Sequence, residues 1–195
     1  IALAQGRGNV IVLPEGLAFP YRFAGMVGEP VLIMSIFVFG LGFIGAWKKT
    51  GEKTAKIAGI VAFIYGSERI LEAIATVNYS IAVESIWATG DMTGLVFPGM
   101  LKGISAAVTG VTGGIILGSF MTVYFSRTGM KLGEIGGLLL IIAVTAGGVA
   151  KTLTLWIWPY ELTAAFLLLM CAKSVGITFV SGALYRQAIF SETGH

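Results

Sequence analysis

Residues 30–47 read PVLIMSIFVFGLGFIGAW, and Lys48 and Lys49 follow directly. No residue in this run carries a charge. At about 1.5 Å per residue a helix of this length is close to the ~30 Å hydrocarbon core of a bilayer. Trp47 beside two lysines is the pairing expected at a membrane–water interface.

The rest of the chain agrees with that reading. Hydrophobic residues make up 56% of the 195 and 28 more are Gly, while charged residues are 12%, about half of the ~25% usual in soluble domains. Mean hydropathy is +0.88. A soluble fold of this size could not cover its surface with so few polar groups. This excludes a soluble enzyme, a disordered chain and a nucleic-acid-binding domain, and leaves an integral membrane protein. The net charge of +3 carries no nucleic-acid signature. Four of the basic residues, Lys48, Lys49, Lys53 and Lys56, crowd into one short loop, as in a cytoplasmic connection.

The sequence predicts an all-α, polytopic bundle of about five transmembrane helices. The first span is 30–47. The second starts near Ile57, turns polar after Gly66 and keeps a helical pattern to about Trp87. Some 30 residues of helix extend ~45 Å, so this helix is expected to tilt or protrude. Residues 88–103 hold Gly90, Asp91, Gly94, Pro98 and Gly103 and read as an outer loop, with a short re-entrant piece at Leu95-Val96-Phe97. Further spans are expected at 104–125, 135–158 and 162–185. Trp156, Trp158 and Tyr160 read as an outer aromatic belt, and Phe19, Tyr21 and Phe23 as headgroup-level residues.

Counting basic residues orients the bundle. Lys48, Lys49, Lys53, Lys56, Arg127, Lys131 and Arg186 fall in inner segments, against Arg7, Arg22 and Lys102 in outer ones. The bias predicts N-out, C-in. The domain division is then an extracytoplasmic arm at 1–29, the bundle at 30–187 and a cytoplasmic tail at 188–195. Within the arm, Asn9–Leu13 reads as a short strand or an interfacial segment. Ala2-Leu3-Ala4 fits the small-x-small pattern before a secretory cleavage site, and a trimmed N-terminus fits equally.

The chemistry concentrates in the second helix. Tyr65, Glu68, Arg69, Glu72, Thr76 and Tyr79 are spaced to lie along one side of it. Isolated charges at mid-bilayer cost about 2.5–3.5 kcal/mol each on insertion scales, so these must be paired or face water. Arg69 and Glu72 can pair at i, i+3. Glu68 then needs Lys151, Lys173, a partner subunit or a proton. Three readings are open: an ion or proton path with Glu68 as carrier, a buried ion network that locks helices or subunits, and a helix offset that puts the charges at the interface. Lys151 can also snorkel outward. Lys173 as a Schiff-base lysine is disfavoured by the absence of Asp from every span.

Ala106, Gly110, Gly114 and Gly118 form a small-xxx-small stripe, a signal for close helix packing. Gly147 and Gly148 in the fourth span offer a facing groove or a local kink. The lone cysteine, Cys171, cannot form an intrachain disulfide, and the lone histidine, His195, is the last residue. The chain offers no catalytic or cofactor-binding set of its own and no His/Cys set for haem, copper or zinc; a carboxylate-only site for a hard cation stays open, and lipid contacts are expected. The expectation is a non-catalytic subunit of a multi-subunit complex in the cell membrane, whose partners are other membrane subunits and the bilayer. The alternative is a small ion- or proton-coupled transporter, transporter subunit or channel with a path along Glu68, Arg69 and Glu72.

Overall fold

The computed structural model describes residues 2–6, 9–13, 29–89, 93–153 and 160–190. Strands β1 (Ala2–Gly6) and β2 (Asn9–Leu13) pair antiparallel, Ala2 opposite Leu13 and Gly6 opposite Asn9. Of the two readings of residues 9–13, the strand is the one seen.

From residue 29 onward the described chain is helical apart from turns. Five helices follow in order. They are α1 (Glu29–Thr50), α2 (Lys53–Thr89), α3 (residues 96–127), α4 (Lys131–Leu153) and α5 (Tyr160–Phe190). A single 3-10 turn, Thr93–Leu95, leads into α3. Among the described residues four stretches are long and apolar enough to cross a membrane: Pro30–Thr50, Thr93–Arg127, Lys131–Thr152 and Leu168–Ala188. The remaining helix, α2, has 37 residues, about 55 Å at 1.5 Å each.

The third helix departs from expectation at both its start and its middle. The residues read as an outer loop with a re-entrant piece are helical from Val96 onward. Pro98 is accommodated because it lies in the first turn, where no helical partner awaits its missing N–H. Within α3 the segment Gly110–Leu117 is a π-helix between the α-helical segments Val96–Thr109 and Gly118–Arg127. At its far end α5 runs to Phe190, past the boundary expected at 187. Arg7, Phe19, Tyr21, Arg22, Phe23, Gly90, Asp91, Trp156, Trp158 and the last five residues lie outside the described residues.

Helices pack in chain order, α1 on α2, α2 on α3, α3 on α4, and α4 on α5, while α1 and α5 touch only lightly. The α1–α2 and α3–α4 turns lie at one end. Each contains a glycine in the left-handed region, Gly51 at φ 73° and Gly129 at φ 72°, where a side chain would be strained. Arg127 reaches Glu52 of the other turn at 3.6 Å. At the same end the Tyr124 ring meets Phe43 and Phe125 edge-on, Phe43 and Phe125 are tilted to each other, and the Tyr124 hydroxyl donates to Gln187 Oε1 at 2.7 Å. Lys56 sits 4.6 Å above the Trp47 ring.

The outside of the bundle is apolar. On α2 the exposed residues include Ile57, Ile60, Ile64, Leu71, Ile74 and Ile81, while Tyr65, Arg69, Glu72 and Tyr79 are buried. This is the reverse of a soluble amphipathic helix. Hydroxyls that face outward are satisfied by their own helix: Ser35, Ser67, Ser174, Thr178 and Ser181 each donate to the carbonyl four residues back at 2.8–3.0 Å. Such back-bonding suits a surface with no water to bond.

Candidate functional site

The site is built by α2, with α3, α4 and α5 converging on it. Glu72 is only 4% exposed and accepts hydrogen bonds from three side chains. Arg69, one turn earlier on α2, pairs with its Oε2. The Thr109 hydroxyl of α3 donates to the same oxygen at 2.8 Å. Lys151 Nζ of α4 reaches Oε1 at 2.9 Å. A buried carboxylate is tolerable only when paired and hydrogen-bonded in this way. The cluster ties three helices together at one point.

The reach of Lys151 follows from the glycines of α3 and α4. A methyl group built on Gly148 would lie 2.7 Å from the Gly110 Cα and 2.9 Å from the Ala106 carbonyl oxygen. Only glycine allows that approach. It sets Lys151, three residues further on, level with Glu72 and Thr109. The rest of the stripe faces the same helix, Gly114 against Thr145 and Gly118 against Ile141. Ala106, Gly110, Gly114 and Gly118 are all buried.

A cavity of about 30 Å³ adjoins the cluster, lined by Arg69, Glu72, Thr109, Lys151 and Lys173 among others. That is room for about one or two waters. Lys173 thus comes from α5 to the same place as Arg69, Glu72 and Lys151.

Glu68 stands apart. Of the lysines expected as its counter-charge, Lys151 binds Glu72 instead of snorkelling outward, and Lys173 lines the cavity beside Glu72. Glu68 Oε1 accepts from the Thr112 hydroxyl at 3.2 Å. Its Oε2 is buried with no hydrogen-bond partner among the described residues. The residue as a whole is half-buried, at the seam between α2 and α3. The other members of the stripe are dispersed. Tyr65 packs its ring on Gly113. Thr76 is exposed and donates to the Glu72 carbonyl at 2.8 Å. Tyr79 is buried with Lys102 4.2 Å over its ring, a cation–π contact.

Thr109 and Thr112 are the residues that sequence reasoning missed. Their signal is two hydroxyls three residues apart in an apolar helix, which an antiparallel neighbour brings opposite Glu72 and Glu68. The π-helical turn that carries Thr112 and Gly113 leaves no mark in the hydropathy pattern. Among the described residues no group of His, Cys, Asp or Glu could hold a metal ion. No protein-family model, curated protein or solved structure matches this chain.

Proposed function

We propose that the chain is a non-catalytic, multi-pass subunit of a larger complex in the cell membrane, held together through intramembrane ion pairs and close glycine packing. In this reading α2 crosses with the other four helices, the N-terminal arm is outside and the C-terminus inside. Support for the crossing comes from α2 turning its isoleucines outward and its charges inward.

The observation that carries the assembly is Glu68. On its own helix Ile64 precedes it and Leu71 follows it, both exposed, so the seam at Glu68 opens onto the apolar outside. Glu68 Oε2 is buried without a hydrogen-bond partner among the described residues, and a carboxylate left without a counter-charge in the membrane costs about 2.5–3.5 kcal/mol. A neighbouring subunit laid on the α2–α3 seam removes that cost. By contrast, both carboxylate oxygens of Glu72 have partners within one chain, and these contacts serve to lock α2, α3 and α4.

Mass spectrometry of the assembly gently extracted from its native membrane tests this. Other chains at a fixed ratio are expected, and Glu68→Gln should reduce their retention. A lone chain or a homo-oligomer overturns it. One observation favours the second reading, an ion or proton path: the water-sized cavity between Glu72 and Lys173. Under that reading Glu68→Gln leaves assembly intact and abolishes flux in proteoliposomes.

A further inference from the structure

We infer that the cleft between α1 and α5, at the end of the bundle that carries the α1–α2 and α3–α4 turns, binds an anionic phospholipid, one acyl chain in the cleft and the phosphate at Lys49. This rests on the reading that the helices cross a membrane. It assigns a ligand to a place that the assembly and ion-path readings do not use.

The cleft exists because the bundle is laid down in chain order and its first and last helices hardly meet. It encloses about 220 Å³, lined by Gly42, Gly45, Ala46 and Leu184, with Lys49 and Gln187 at the polar end. Its walls are apolar, as hydrocarbon requires. Its floor is low because of glycine: a methyl group built on Gly45 would meet nothing within 4 Å. At the rim, Gln187 accepts from Tyr124 through Oε1, which leaves its amide nitrogen as a donor.

Charge selects the headgroup. Seven lysines and arginines gather at this end of the bundle, from Lys48 on α1 to Arg186 on α5. The carboxylates among the described residues there are Glu52, already beside Arg127, and Glu134 at the start of α4. A basic cleft between helices at the cytoplasmic interface is suited to an anionic lipid. A soluble anion would match the rim and leave the apolar walls unfilled.

The test uses the full chain in nanodiscs holding phosphatidylglycerol and phosphatidylcholine of identical acyl chains. Lipids retained after mild delipidation are counted by native mass spectrometry. One phosphatidylglycerol should be kept in preference to phosphatidylcholine. Lys49→Gln should weaken its retention about fivefold. Gly45→Leu, which fills the cleft without altering charge and favours helix, should displace it. Glycerol phosphate, a headgroup without chains, should not compete. Equal retention of the two lipids, wild-type retention in both variants, or displacement by glycerol phosphate overturns the proposal. Alkaline carbonate extraction separates this failure from a wider one. A chain released from membranes overturns the membrane reading as well, whereas a chain that stays with them and shows no preference overturns the lipid site alone.

Discussion

Glu68 and Glu72 stand one helical turn apart on α2 and have opposite surroundings. Glu72 has a guanidinium, an ammonium and a hydroxyl on its two oxygens, whereas Glu68 has one hydroxyl. Replacing Glu72 by Gln leaves Arg69 and Lys151 beside a neutral group. Breaking a buried pair in this way costs about 3–5 kcal/mol, to be read from unfolding of the isolated chain in detergent micelles. Lys151→Met removes a partly exposed partner and should cost less, about 1–3 kcal/mol. Glu68→Gln keeps an acceptor for Thr112 and removes a charge without a counter-charge, so it should not destabilise the isolated chain. A Glu68→Gln loss as large as that of Glu72→Gln would refute the contrast drawn between them. The i, i+3 pairing of Arg69 and Glu72 was legible in the sequence, because it is a property of one helix. Which carboxylate takes Lys151 was not, because it depends on how closely α3 and α4 approach.

That approach belongs to the third and fourth helices as elements. Gly147 and Gly148 are adjacent in sequence, yet one faces space and the other a backbone. A methyl on Gly147 meets nothing within 4 Å, and a methyl on Gly148 meets Gly110 Cα and the Ala106 carbonyl. Backbone atoms cannot rotate aside, so Gly148→Ala must part the helices, at about 1–3 kcal/mol. Gly147→Ala should be neutral or stabilising by up to about 1 kcal/mol, the gain in helix propensity. Thermal unfolding of the two variants side by side checks this, and equal losses would mean that α3 and α4 do not cross at Gly110. The small-residue stripe could be read from its four-residue spacing. The start of α3 could not, since Gly94, Pro98 and Gly103 speak for a loop when taken singly. In the structure Pro98 lies in a first turn and Gly103 is a place of close approach, where its carbonyl lies 3.4 Å from the Thr152 hydroxyl.

For the whole molecule, burial is uneven in a way that orders the bundle. In their most apolar windows α3 and α4 are 44% and 39% buried, against 22% for α1 and 17% for α5. The middle helices form the core, and the first and last are its open flanks. Composition made the helical, apolar character legible, but the crossing of α2 rests on where its charges point, which needs the neighbouring helices. That crossing decides topology. The salt bridge between Arg127 and Glu52 holds the α1–α2 and α3–α4 turns at one end, and Thr93 begins the turn at the other. Under the proposal that all five helices cross, these ends face opposite sides of the membrane, and the bias of the seven basic residues predicts that the turns lie inside. Replacing the exposed Cys171 by Ala gives a background for single-cysteine probes at Lys53, Thr93 and Lys131, all exposed. A membrane-impermeant maleimide applied to intact cells should label Thr93→Cys alone. Lys53→Cys and Lys131→Cys should react only after permeabilisation. Lys53→Cys and Thr93→Cys reacting alike, with Lys131→Cys behaving oppositely, would place α2 outside the membrane, because α3 then separates Thr93 from Lys131; labelling of Lys53→Cys and Lys131→Cys without Thr93→Cys would invert the bundle. The first result would require a different account of how Glu68, Arg69 and Glu72 are shielded, whereas the second would leave their contacts as they are and reverse only the orientation.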